Sequence, residues 1–214
     1  MSLRRNLLPV SIAALVLAGC GQEAAAPVQV AAPAPAPAEP VAAEPSERER
    51  AAIARFEPQG DGALVLDRAT GLTWMRCSIG QQWTGETCAG EAERHDWDAA
   101  VALADAFEYA GHADWRLPTR DELLTITWCS SGHRFATDAD GAGGACAGSF
   151  RQPAILSAVF PATPALKFWS ATPGTMSFTA WGVAFSTAVT GAGNRRDREH
   201  LRLLRGEQYQ PAAK

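Results

Sequence analysis

Four cysteines, Cys77, Cys88, Cys129 and Cys146, are the side chains of this chain best suited to covalent chemistry with one another. An even number of cysteines in a domain outside the cytoplasm indicates disulfides, and four cysteines allow three pairings. Pairing of Cys77 with Cys88 and of Cys129 with Cys146 is favoured, because each pair closes a short Gly-rich stretch. The alternative is a four-ligand zinc site, although separations of eleven and seventeen residues lack the closely spaced cysteine pairs typical of such sites.

A basic segment near the end of the chain could bind anions. Arg195, Arg196 and Arg198 stand within four residues of each other, and guanidinium groups bind sulfate or phosphate through two parallel hydrogen bonds. These three residues are predicted to bind a polyanion such as a sulfated polysaccharide. Asp197 and Glu199 partly cancel their charge, so a solvated loop is the alternative.

Metal and catalytic motifs are sparse. Asp138 and Asp140 are similar to the start of a calcium loop, since Ca²⁺ prefers several oxygen ligands. The later acid of an EF-hand is missing, so this candidate is weak and an acidic turn is the alternative. No HExxH or Gly-x-Ser-x-Gly motif occurs. The sequence predicts no catalytic residue and no cofactor.

The first twenty residues predict export and lipidation. Residues 7–17 form an apolar run of about eleven residues after two arginines, which is shorter than the roughly 20 needed to cross a bilayer and fits a signal peptide. The run ends in Leu17-Ala18-Gly19-Cys20, which resembles a bacterial lipobox. This resemblance implies removal of residues 1–19 and a lipid anchor on Cys20, with a plain secretory signal as the alternative. Gly21, in place of the Asp that retains lipoproteins at the inner membrane, implies the outer membrane.

A spacer and one domain follow the anchor. Residues 21–46 contain ten Ala and six Pro, so they have little to bury and are predicted to form a disordered, extended tether. All seven Trp and all eight Phe come after residue 55, and residues 47–214 are predicted to form a single domain with its core at about 61–205. The formal charge of −4 argues against a nucleic-acid-binding protein.

Hydrophobic patterns and capping residues place these groups on an α+β fold with short helices and antiparallel strands. Ser46 and Thr119 each begin a capping-box pattern, with Glu49 and Glu122 three residues later. Trp115 is expected in the core, and Arg116 is expected to bond buried carbonyls or an acid such as Asp114. Helices are predicted at 46–55, at 96–110 and from 119; strands are predicted at 63–66, 72–75, 168–172, 179–186 and 199–205.

An ordered series of motifs resembles the Lcl C-terminal domain-like family of bacteria. The motifs are DRATGLTW at 67–74, WxxA at 97–100, DWRLPTRDEL at 114–123, FWSAT at 168–172, AWGVAF at 180–185 and LRLLR at 201–205. The resemblance implies the C-type-lectin-like fold that the family is thought to share with formylglycine-generating enzymes. Those oxidases use late cysteines, whereas none follows Cys146 here, so their activity is not implied. The namesake adhesin domain binds sulfated polysaccharide.

Together these observations predict an envelope lipoprotein that carries a non-catalytic binding module. The expected partners are a membrane, through Cys20, and a glycan or another envelope protein. Two alternatives are an enzyme derived from the formylglycine-generating scaffold and a purely structural envelope lipoprotein.

Overall fold

The computed structural model describes residues 44–136 and 144–210. The predicted signal peptide, the lipidation site Cys20 and most of the predicted tether lie outside the described residues. The weak calcium candidates Asp138 and Asp140 also lie outside them.

Three short helices begin at capping residues that the sequence supplies. They are α1 (Glu47–Ile53), α2 (Trp97–Asp105) and α3 (Arg120–Thr125), capped by Ser46, Asp96 and Thr119. The capping box of Thr119 with Glu122 is confirmed. The prediction that α2 continues to residue 110 is wrong. The amides of residues 106 and 107 bond three residues back, and Ala110 has a φ of 51°, so the chain has left the helix.

The strands form two main sheets in which most neighbouring strands run antiparallel to each other. In chain order the strands are β1 (Phe56–Gln59), β2 (Leu64–Asp67), β3 (Leu72–Met75), β4 (Gln82–Trp83), β5 (Cys88–Ala89), β6 (Arg94–His95), β7 (Lys167–Pro173), β8 (Thr179–Ala184), β9 (Val189–Asn194), β10 (Glu199–His200) and β11 (Leu204–Arg205). One sheet has the order β1-β2-β3-β11 and the other the order β6-β10-β7-β8-β9, in which only β10 and β7 are parallel. The α+β expectation is therefore confirmed.

The continuous strand predicted at 199–205 is wrong. The segment divides into β10 and β11, which belong to different sheets. Between them, the carbonyls of Leu201 and Leu203 accept hydrogen bonds from the amides of Ile79 and Met75. The intervening Arg202 is fully buried, and this burial lowers its pKa to about 9. The alternation of polar and apolar residues mispredicted this segment because it does not reveal that the cation in the middle of the segment is buried.

Both faces of the five-stranded sheet are covered. Phe168 of β7 packs with Val183 and with Leu123 of α3 in one hydrophobic cluster. The next residue, Trp169, packs with Ala100 of α2 in a second cluster. Successive side chains of a strand point to opposite faces, so this single strand contributes to both cores. Trp115 is buried in the second cluster, as expected.

The two predicted disulfides are present. Cys77 is bonded to Cys88 and Cys129 to Cys146, with Cα–Cα distances of 5.5 Å and 5.3 Å. The zinc alternative is therefore excluded for these four residues. The second disulfide fixes a segment that leads directly into the site described next.

Candidate functional site

Three arginine side chains stack on the rings of half-buried tryptophans. The guanidinium carbons lie 4.0 to 4.2 Å from the ring centroids, in the pairs Arg48 on Trp128, Arg195 on Trp97 and Arg76 on Trp83. Such contacts combine cation–π attraction with burial of the aliphatic stem. The three stacks are similar in geometry, so they can be compared by what their indole N–H groups do.

The indole N–H groups separate Trp128 from the other two tryptophans. Trp83 donates to the carbonyl of Asp61 at 3.2 Å, and Trp97 donates to the carbonyl of Ser170 at 2.8 Å. The Nε1 atom of Trp128 is buried and has no acceptor in the part of the chain that the structure describes. A buried donor without a partner costs free energy, and such groups in native proteins often mark functional sites.

Trp128 forms part of the wall of a cleft with a volume of about 180 Å³. This cleft, called the Trp128 cleft below, is smaller than the roughly 300–1,000 Å³ of pockets for drug-sized ligands and is comparable to a single sugar ring. Its wall combines an aromatic ring, an ion pair, an amide and two hydroxyls. The lining residues are Glu49, Trp128, Ser130, Arg151, Gln152, Pro153, Ile155 and Ser157.

Backbone bonds fix two sides of the cleft against each other. The amide of Trp128 donates to the carbonyl of Ala154 at 2.9 Å, and the amide of Arg151 donates to Ser130 Oγ at 2.7 Å. Thr127 and Ile155 form an isolated antiparallel bridge. The Cys129–Cys146 disulfide follows Trp128 immediately, so the ring is positioned by a cross-linked scaffold.

Helix α1 supplies the third side. Arg48 Nη2 donates to the carbonyls of Cys129 and Ser130 at 2.8 Å and 2.9 Å. Glu49 and Arg151 form an ion pair of 2.6 Å. Glu49 and Arg151 are the charged residues of the lining and their charges cancel, so the cleft favours polar ligands.

The predicted polyanion residues lie elsewhere, in a turn between β9 and β10 that we call the arginine turn (residues 194–199). Arg195 stacks on Trp97, donates to the carbonyl of Thr179 at 3.3 Å and lies 3.9 Å from Asp98. Arg198 donates to the carbonyl of Arg94 at 2.7 Å. Arg196 is exposed, and its side chain makes no hydrogen bond or ion pair within the described ranges. Polyanion binding by these residues stays a prediction.

The most deeply buried carboxylates have structural partners. Glu122 is fully buried and pairs with Arg116 at 2.7 Å, so the expected bond from Arg116 to an acid is confirmed, although the acid is Glu122 and the suggested Asp114 pairs with Arg205. Burial alone would raise the pKa of Glu122, but hydrogen bonds from Arg116 and from the amides of Thr119 and Tyr209 outweigh it and hold that pKa below its ordinary value. Arg116 also donates to the carbonyl of Gly206, so the expected bond to a backbone carbonyl is present as well.

Among residues 44–136 and 144–210 no three His, Cys, Asp or Glu side chains are grouped so that they could hold a metal ion. In the same ranges no helix has the length and apolar character needed to cross a membrane.

Sequence patterns did not single out the Trp128 cleft. Its residues come from three segments, at 49, at 128–130 and at 151–157, and no spacing rule connects them. The one local signal is a tryptophan directly before a disulfide cysteine, Trp128-Cys129, because a large ring beside a cross-link is held in a fixed position.

Comparison with known proteins assigns the domain. A search among curated proteins found no match. A family model, the Lcl C-terminal domain, matches residues 63–205, which is more than half of the chain and includes every residue of the cleft except Glu49. The chain therefore belongs to the Lcl C-terminal domain family.

Proposed function

We propose that this protein is a cell-envelope lipoprotein whose domain is a non-catalytic module that binds a glycan in the Trp128 cleft. The observation that carries the proposal is the ring of Trp128, which lines the cleft and whose buried indole N–H has no acceptor among the described residues. Sugars present hydroxyl and ring oxygens as acceptors, and a small shift of the ring toward the cleft would let a bound sugar accept from this donor.

The remaining wall residues suit the same ligand. Glu49 and Arg151 offer a charged acceptor and a charged donor 2.6 Å apart, and Gln152 adds an amide that can do both. An aromatic ring with a few convergent polar groups is the usual composition of a specific small-ligand site. The guanidinium group of Arg151 could also bind a sulfate or carboxylate group of an anionic glycan.

The finer parts of the proposal rest on sequence resemblance. The lipobox-like sequence before Cys20 and the Ala/Pro segment after it support an anchored domain on a spacer. Gly21 supports sorting to the outer membrane. Kinship with the Lcl C-terminal domain supports a C-type-lectin-like fold and binding of sulfated polysaccharide.

A non-catalytic role is supported by the state of the cysteines. The chemistry of formylglycine-generating enzymes needs reactive thiols, and Cys77, Cys88, Cys129 and Cys146 are bonded to each other in pairs.

Retention of the unlipidated chain (residues 21–214) on immobilised neutral and sulfated polysaccharides, at two salt concentrations, tests the proposal. Trp128→Ala is expected to reduce the affinity for the retained polysaccharide at least tenfold. Trp83→Ala is the matched control, because Trp83 carries a similar arginine stack but its N–H is already bonded to Asp61.

Equal loss of retention in the Trp128→Ala and Trp83→Ala variants would contradict the assignment of the cleft. Absence of retention on every polysaccharide would contradict glycan binding itself. Retention that falls with salt would identify an anionic ligand, since ionic contacts are screened.

A further inference from the structure

The hairpin that joins β7 to β8 presents two apolar side chains to solvent. Met176 is 53% exposed and Phe178 is 55% exposed. Both belong to residues 174–178, which are called the β7–β8 tip below. Two large apolar side chains this exposed on one tip are a feature that folding alone does not require, since neither contributes to a core.

The tip is held in a defined conformation. The amide of Gly174 donates to the carbonyl of Thr179, while both the amide and the hydroxyl of Thr179 donate to the carbonyl of Met176, each at 2.9 Å. A Cβ atom on Gly174 would lie 2.0 Å from Thr179 Oγ1, so this position accepts only glycine. Met176 and Phe178 are therefore presented by a structured turn.

The arginine turn lies directly beside the tip. The amide of Arg195 donates to the carbonyl of Phe178 at 2.9 Å. Of the neighbouring acids, Asp98 faces Arg195 at 3.9 Å and Asp197 accepts the amide of Asn194 at 3.1 Å. Arg196 is exposed and its side chain makes no hydrogen bond or ion pair among the described residues, although the acid Asp197 follows it in the chain. Apolar side chains with an adjacent guanidinium match the interface of a phospholipid bilayer, where acyl chains lie just below phosphate groups.

The tip and the Trp128 cleft lie at opposite ends of β8. Phe178 immediately precedes the strand, whereas the carbonyl of Phe185, just after it, accepts the amide of Ala154 near the cleft. Six residues of strand span about 20 Å. A domain that rested on a membrane through the tip would keep its cleft away from the lipid.

We propose that the β7–β8 tip, together with Arg196, inserts into the surface of the phospholipid bilayer that holds the lipid anchor. The inference rests on the proposed function only for the anchor on Cys20. Twenty-three residues separate Cys20 from Glu44, and the greatest distance that any chain of that length can span is roughly 80 Å. This is enough for the domain to fold back onto its own membrane.

Two side chains give a weak contact, and the anchor makes it effective. A tether of this length converts docking into an intramolecular step with a high effective concentration. Acylated proteins in general combine weak membrane contacts in this way, because one acyl chain alone binds a membrane only marginally. The tip therefore sets the orientation of a domain that the lipid has already brought to the surface.

Hydrogen exchange of the lipidated protein on vesicles of phosphatidylethanolamine and phosphatidylglycerol, compared with residues 21–214 in solution, tests the proposal. Peptides covering 174–178 are expected to exchange at least threefold more slowly on vesicles. In the lipidated protein, the double variant Met176→Ser with Phe178→Ser is expected to lose this protection, so that its 174–178 peptides exchange on vesicles as fast as in solution. Leu166→Ser is the matched control, because Leu166 is also 53% exposed but lies before β7, away from the tip.

Unchanged exchange at 174–178 on vesicles would overturn the proposal, as would equal loss of this protection in the lipidated Leu166→Ser control. Protection by a co-purifying protein without vesicles would also overturn it in favour of a protein partner. The polysaccharide experiment contains no lipid, so failure of membrane docking leaves glycan binding in the Trp128 cleft intact, and the reverse also holds.

Discussion

The Trp128 cleft and the arginine turn both join arginine to tryptophan, yet they differ in which polar groups are already used. At the arginine turn, Trp97 donates to Ser170, and Arg195 donates to Thr179 while facing Asp98. At the cleft, the N–H of Trp128 is left over. The turn is richer in charge along the sequence, whereas the cleft is lined by a ring whose indole N–H is buried and unpaired among the described residues. Binding capacity follows the unsatisfied groups, because a donor that is bonded within the protein gains little from a ligand.

The largest expected effect comes from opening the disulfide beside the cleft. Replacing Cys129 and Cys146 by Ser should lower the free energy of unfolding by about 3 kcal/mol, from the restored entropy of a 17-residue loop. It should also abolish retention on the polysaccharide, because Trp128 and Ser130 flank Cys129. Urea unfolding and polysaccharide retention measure the two effects.

The control is the double variant Cys77→Ser with Cys88→Ser, which opens the other disulfide. It should lose similar stability but keep its polysaccharide affinity under conditions where it remains folded. If both double variants lost polysaccharide affinity equally, the loss would be explained by lower stability of the whole domain and not by a specific effect on the Trp128 cleft.

Removing the charge of Glu122 should lower stability without changing either region. Glu122→Gln is expected to cost about 2 kcal/mol at pH 7, since Arg116 loses its charged partner and two backbone amides lose a charged acceptor. Polysaccharide affinity and vesicle binding of the folded variant should match those of the unaltered chain.

The direction of the Glu122 pKa shift determines how the free energy of unfolding should change with pH. The pKa of Glu122 is lower in the folded protein than its ordinary value, so its contribution is complete above the unfolded pKa of about 4.3 and is lost as the pH falls through the folded pKa. Stability of the unaltered chain should decline more steeply below about pH 4 than that of Glu122→Gln.

A smaller effect is expected from changing only the indole donor. Trp128→Phe keeps an aromatic ring under Arg48 but removes the unpaired N–H. Affinity for the polysaccharide should fall about tenfold, equivalent to about 1.4 kcal/mol. The free energy of unfolding should change by less than about 1 kcal/mol, because lost ring contact is offset by the loss of an unsatisfied donor. Titration calorimetry and urea unfolding together distinguish this result from a packing defect, which would lower both quantities.

The smallest effects should separate two adjacent arginines. Arg195→Ser removes the stack on Trp97 and is expected to cost about 0.5–1 kcal/mol of stability. Arg196→Ser should stay within about 0.5 kcal/mol, because its side chain makes no contact in the described part of the chain. Thermal unfolding measures both. Equal effects would show that Arg195 is as free to bind anions as Arg196.

Sequence patterns predicted the features that short-range physics determines. The Thr119–Glu122 capping box, the β2 and β3 strands around a turn and the two local disulfides all depend on residues close in the chain. The segment at 199–205 was mispredicted because its alternation is set by two different sheets and by the burial of Arg202.

The cleft could not be predicted for a related reason. Glu49 and Arg151 are about a hundred residues apart and meet only through the fold. The unpaired N–H of Trp128 is also invisible in the sequence, since Trp83 and Trp97 are the same residue type in similar stacks and are satisfied. Residue type and spacing indicate what a side chain can do, but long-range packing decides which groups remain unsatisfied.

The position of α1 at the cleft has a mechanical consequence. The predicted tether enters the domain through this helix, which has no fully buried residue. Arg48 contacts Trp128 and donates to the carbonyls of Cys129 and Ser130, and Glu49 forms an ion pair with Arg151. Tension on the proposed anchor would therefore load these contacts in the wall of the cleft together with the packing of Ala52 and Ile53 on the first core. A ligand that bridges Glu49 and Arg151 would strengthen the attachment of the helix, so tension on the proposed anchor and filling of the cleft would oppose each other.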